Sequence, residues 1–295
     1  ALHSQLDEIE RIHGLYSPTA LGLASALACG AFTFLLGGGP LEMILAFAGA
    51  GIGNAIRCKL GKHHFTLFMC IAVSVSSACL VYAGFLKLAE LLFHISVQHE
   101  AGYICSMLFI IPGFPFITSG IDLAKLDMRS GLERLAYAII VVMVAAVSAW
   151  LMALLLHLKP VDFLPLELSA AQRILFRLLA SFCGVFGHLL DVLVRDLPPF
   201  LHDGIAAFIG ALSNTLRLEL VDLAGFPPAA AAFLGALTAG LLASLIKTKV
   251  GYPRISITVP SIVIMVPGLY LYRAIYNLGI MSLNVSASWF AAAIL

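Results

Sequence analysis

Ile111-Pro112-Gly113-Phe114-Pro115 and Val266-Pro267-Gly268-Leu269-Tyr270 are two versions of one phrase, 155 residues apart. Each lies near the middle of an apolar run long enough to cross a bilayer. Proline inside a helix removes a hydrogen bond and collides with the preceding turn, and glycine adds backbone freedom. Hydrocarbon tolerates such an interruption only where protein or a water-filled cavity satisfies the released backbone groups. Two interrupted helices at matching positions of two halves point to the binding site of a small-solute transporter.

Composition agrees. Hydrophobic residues make up 61% of the 295, charged residues 11%, and the mean hydropathy is +1.02. That balance belongs to an all-α polytopic membrane protein. Apolar runs and their breakers give about ten spans: 18–37, 40–57, 65–86, 102–121, 135–157, 171–190, 203–218, 227–246, 256–277 and 282–295. They leave no room for a separate soluble domain. With the N-terminus inside, eleven of the 17 Lys and Arg residues fall on the inner side, so both termini are expected in the cytoplasm. Residues 1–17, with the charged amphipathic stretch Leu2 to Ile12, read as neither signal nor transit peptide. A net charge of +1 gives no argument for a nucleic-acid partner. The six cysteines show no metal-ligand or C-x-x-C spacing, so they read as buried thiols and no metal or cofactor is called for.

The repeat extends beyond the two Pro-Gly phrases. Cys29-Gly30-Ala31-Phe32 matches Cys183-Gly184-Val185-Phe186. Ala46-Phe47-Ala48-Gly49-Ala50 through Asn54 and Arg57 matches Ala207-Phe208-Ile209-Gly210-Ala211 through Asn214 and Arg217. The matches keep their order, which divides the chain into residues 1–160 and 161–295, five spans each. An odd number of spans per half makes the second half enter the membrane from the opposite face, an inverted repeat.

The candidate site follows from the breaks. Pro112 lies about ten residues from either end of its span, roughly 15 Å, which is the bilayer midplane. Half-helix ends at Pro112-Gly113 and Pro267-Gly268 would offer N–H groups to a carboxylate and C=O groups to an ammonium. Thr118 and Ser119 follow the first break and Tyr270 the second, each with a hydroxyl for a polar solute. Asn54 and Asn214, related by the repeat, either flank the pathway or bond neighbouring helices. Asp122 closes the fourth span; it is the candidate for proton coupling, or a solvated loop carboxylate. Glu42 and Asp203 stand in the first turns of the second and seventh spans and suit a helix N-terminus electrostatically. Gly49, Gly51 and Gly53, and the stretch Gly235 to Gly240, should let helices pack closely. No nucleotide-binding loop or hydrolase motif occurs, so the chain is read as neither an enzyme nor a primary pump.

The stretch Pro112 to Leu123, followed by Asp127 and Ser130-Gly131-Leu132-Glu133-Arg134-Leu135, resembles the threonine/serine exporter family. Pro260 to Tyr270 looks like that family's second module, and Leu6-Asp7-Glu8-Ile9 and Gly37-Gly38-Gly39 fit as well. The resemblance covers essentially the whole chain. It implies a secondary active exporter of threonine and serine in the bacterial inner membrane, working by alternating access and driven by protons. A dicarboxylate exporter of the succinate type, as in split relatives, and a passive small-solute channel are the alternatives. The expected partners are a small amino acid, protons and the lipid bilayer, and a homo-oligomer is compatible with the sequence.

Overall fold

Helix starts obey local signals. Ser17 caps the first helix by accepting the Ala20 N–H at 3.1 Å, with Pro18 in the first helical position. Asp127 accepts the Ser130 N–H, and Ser169 and Gln172 form a reciprocal capping box. The computed structural model describes residues 17–94, 97–159, 163, 166–192, 199–250, 253–266 and 268–294. Among these there are helices and no strand. The N-terminal segment before residue 17, and Pro267, lie outside the described residues.

The first half runs α1 (Pro18–Leu35), α2 (Pro40–Lys62) and α3 (Leu67–Phe93), then two 3₁₀ stretches (Val97–Tyr103 and Cys105–Ile110), α4 (Gly113–Ala124) and α5 (Met128–Leu156). The second runs α6 (Ala170–Val192), α7 (Pro199–Asp222), α8 (Pro228–Val250), α9 (Arg254–Val263), α10 (Gly268–Gly279) and α11 (Leu283–Ile294). Among the described residues, seven helices are long and apolar enough to cross a membrane: α1, α2, α3, α5, α6, α7 and α8. Two bent pairs bring the number to nine: Ala101–Ile110 with Gly113–Ala124, bent by 61°, and α9 with α10, bent by 46°. At 12 residues, α11 is shorter than the roughly 20 that a span needs. Large apolar side chains such as Leu91, Phe93, Leu155, Phe233 and Leu245 are exposed around the outside, the surface that lipid covers.

Small residues set the helix spacing. A Cβ on Gly22 would stand 2.6 Å from the Gly51 carbonyl oxygen, so α1 and α2 touch backbone to backbone. Gly49 of α2 lies against Ser106, just before the first break; Gly210 of α7 lies against Ser261, just before the second. Gly235 packs on Ser213 and Arg217, whereas Gly240 has nothing within 4 Å. Lipid tails are as apolar as leucine, so this close fit rather than hydrophobic burial holds membrane helices together.

Among the described residues two apolar cores result, and they interlock. One is built on Leu45, Val75, Tyr103, Met107 and Ala145 of the first half but also buries Tyr272 and Ile275 of α10. The other gathers Val185, Ile209, Ala239 and Ile257 of the second half, with Phe32 and Leu35 of α1 packed against it. The Tyr103 and Tyr272 hydroxyls, both wholly buried, meet at 2.6 Å and tie the halves together.

Gly22→Ala is expected to cost about 1–3 kcal/mol by overpacking, while Gly84→Ala, with nothing within 4 Å, should be neutral or gain up to about 1 kcal/mol of helix propensity. Melting temperatures in detergent check both. Tyr103→Phe or Tyr272→Phe should each cost about 1–3 kcal/mol by stranding a buried hydroxyl. The double variant should cost clearly less than the sum, a non-additivity that a double-mutant cycle measures.

Candidate functional site

The first break is a single tight turn. Pro112 has φ −81° and ψ 68°, close to an inverse γ-turn, and the Gly113 N–H donates to the Ile111 carbonyl at 2.8 Å. The second break repeats it, with the Gly268 N–H donating to the Val266 carbonyl at 2.9 Å. These bonds satisfy groups that the interruption would otherwise release into hydrocarbon. They also use up N–H groups at the head of each following helix. At the start of α4 Pro115, in the third helical position, has no N–H to offer either. Fewer backbone donors face a carboxylate than a plain half-helix end would provide.

The breaks lie against each other. A Cβ on Gly113 would stand 2.6 Å from Val263 Cγ2 and 3.5 Å from Val266 Cγ2, and one on Gly268 would stand 3.0 Å from the Ile111 side chain. Each glycine thus receives a residue from the other broken helix, and a side chain at Gly113 would force Val263 to shift while one at Gly268 would crowd Ile111.

A cavity of about 710 Å³ opens at this crossing, lined by Ile111, Gly113, Val266, Gly268 and Tyr270. Its polar wall comes from Arg173, Arg177, His188, Arg217, Asp222 and Arg273. Two of the arginines are balanced locally: Glu219 takes Arg173 at 3.0 Å and Arg177 at 2.6 Å, and Asp222 takes Arg177 as well. Arg217 donates through Nε to the Asn214 amide oxygen at 2.9 Å, a neutral partner that aims the guanidinium without cancelling its charge. Arg273 lies over the Trp289 ring, 4.9 Å from its centroid. The cavity therefore combines an apolar floor with guanidinium groups suited to a carboxylate.

Of the residues singled out from sequence, Gly113, Gly268 and Tyr270 line this cavity. Asn214 stands behind it, donating to Ser181 Oγ at 2.9 Å and orienting Arg217. Asn54 is buried between α1 and α2, where it donates to the Leu21 carbonyl and to Ser25 Oγ. Thr118 and Ser119 are buried on α4, their hydroxyls turned back to the Phe114 and Phe116 carbonyls of their own helix. Asp122, at the far end of α4, pairs with Arg134 at 2.8 Å. Sequence reasoning missed Arg173, Arg177 and His188. Their signal was there to read: arginines four apart on α6, answered by Glu219 and Asp222 three apart on α7.

Two family models, both described as threonine/serine exporters, match the chain, one over residues 1–157 and the other over residues 186–295. No curated protein and no solved structure matches it. Broken helices, a polar cavity at their crossing and matches to both modules lead to one assignment: the chain belongs to the threonine/serine exporter family of membrane transporters.

Proposed function

We propose that this protein exports threonine and serine across the bacterial inner membrane by proton-coupled alternating access, as two inverted five-span repeats. The observation that carries the reading is the 710 Å³ cavity at the junction of the two breaks. A hydroxy amino acid would set its carboxylate on Arg217 or Arg273, with Gly113 and Gly268 giving room and the Tyr270 hydroxyl near the solute. Asn214 aims Arg217. Pro112, Pro267, Thr118, Ser119 and Asn54 hold the frame, and a rocking movement of one repeat against the other would change which of them face the solute. Asp122 is the acid that sequence reasoning nominates for coupling.

Gly37, Asp222 and Pro228 are among the cavity's lining. With the N-terminus in the cytoplasm, those turns would face outward, and the conformation would correspond to an outward-open carrier. Tight contact between Gly113 and Val263 supports a carrier over a passive channel.

A second reading is favoured by one specific observation: two guanidiniums, Arg217 and Arg273, line the same cavity. Two cations suit a dicarboxylate. Counterflow into proteoliposomes separates the readings. Vesicles loaded with unlabelled threonine should transiently accumulate labelled L-threonine above the external level, with L-serine competing and succinate not. Arg217→Gln should weaken threonine competition by about tenfold or more, the equivalent of a lost charged hydrogen bond. Accumulation of labelled succinate in succinate-loaded vesicles, without threonine accumulation in threonine-loaded ones, transfers the assignment to dicarboxylates, and no accumulation of either sinks both.

A further inference from the structure

Glu42 occupies the third position of α2, after Gly39 and Pro40. A glutamate there ordinarily reaches back to the N-cap N–H or sits in the favourable field of the helix end. Here it does something else. Glu42 Oε1 and His99 Nδ1 share a 2.6 Å hydrogen bond across 57 residues of chain, with the two side chains 5% and 20% exposed. Glu42 Oε2 is buried and has no hydrogen-bond partner among the described residues. A buried carboxylate oxygen without a partner is costly.

The surroundings suit proton exchange with the site. From α3 the Tyr82 hydroxyl donates to the His99 carbonyl at 2.7 Å and fixes the segment that carries the imidazole. Tyr82 also lies in the electrostatic range of Glu42. From the second 3₁₀ stretch, Cys105 is in range of both Glu42 and Arg273 and bonds to Thr33 of α1. The groups in range of Glu42 are therefore Tyr82 and Cys105, and Cys105 is in turn in range of the cavity's Arg273. His99 lies on the stretch that runs through Ile110 into the Pro112-Gly113 break.

We propose that Glu42 and His99 form the proton-carrying site of the transporter, an inference that rests on proton-coupled export as read above. The pair holds α2 against the segment leading to the first break by a charge-assisted bond. A proton arriving on Glu42 removes the carboxylate and weakens that bond. The 97–110 stretch, and with it the first break, is then released to move. His99, the more exposed partner, is the entry point, and imidazole is the side chain that changes charge in water near neutral pH. The repeat assigns Asp203 to the place of Glu42; Asp203 is buried too, at 2% exposure. In the place of His99, however, stands Arg254, whose charge does not change. The two halves therefore differ at the position that His99 holds in the first.

Two measurements on the full chain test this. Infrared difference spectra of the purified protein, recorded across a pH step without substrate, should contain a protonated-carboxyl band. That band should be lost in Glu42→Gln and moved to a different pH midpoint in His99→Gln. In proteoliposomes, Glu42→Gln should retain counterflow but lose the threonine accumulation driven by a pH gradient. A band that persists in Glu42→Gln, or gradient-driven accumulation that survives in it, overturns the proposal. Should Glu42→Gln fail to fold, an unmoved midpoint in His99→Gln overturns it equally. Wild-type protein without counterflow would instead remove the threonine reading, and the infrared band would still decide the proton site.

Discussion

Hydrocarbon offers no water to a backbone N–H or C=O, and that absence governs this molecule. A helix interrupted in mid-membrane must have its loose ends satisfied by its own turn and enclosed by protein. Both breaks meet the requirement in the same way. Each closes on itself with a two-residue hydrogen bond, and each presents a glycine to a side chain of the other break. The remaining helices can be understood as the wall around that crossing: α2 and α7 approach it through Gly49 and Gly210, whose close contacts are with Ser106 and Ser261. A bulkier residue at these points would crowd the wall against the breaks.

Charge is handled with the same economy. Guanidinium groups in a low-dielectric setting are expensive unless paired or stacked. Around the cavity, Glu219 and Asp222 compensate Arg173 and Arg177, Asn214 steadies Arg217, and Trp289 underlies Arg273. This arrangement gathers guanidinium groups where the two halves meet and gives each of them a neighbour that steadies it. The interlocked cores matter here. Because Tyr272 and Ile275 of α10 are buried in the first half's core, a shift of the second break is felt directly by the packing around Tyr103. That is a mechanical route from one half to the other that a pair of separately packed halves would lack.

Much of the architecture could be read from the chain alone, and the reasons are local. Hydropathy marks spans because a membrane helix needs a run of apolar residues, and Pro-Gly marks a break because proline cannot donate a hydrogen bond. The helix starts at Pro18 and Pro40 lie where the sequence expects them. The site was legible only in part. Gly113, Gly268 and Tyr270 line the cavity because they belong to the breaks themselves. Thr118 and Ser119, in the second turn of the same helix, bond to their own helix instead, since a hydroxyl on a helix finds the preceding carbonyl before it finds a solute.

The sequence by itself determined a polytopic all-helical chain with two interrupted helices, because composition and proline are properties of short stretches. Tertiary structure decided which charges share a cavity and which acid is buried. Glu42 reads in sequence as an ordinary first-turn carboxylate, and its partner His99 lies beyond the whole of α3. Arg173 and Arg177 carry no role in the sequence until α7 brings Glu219 and Asp222 against them. Such pairings depend on how helices cross in three dimensions, and no periodicity along the chain encodes the crossing.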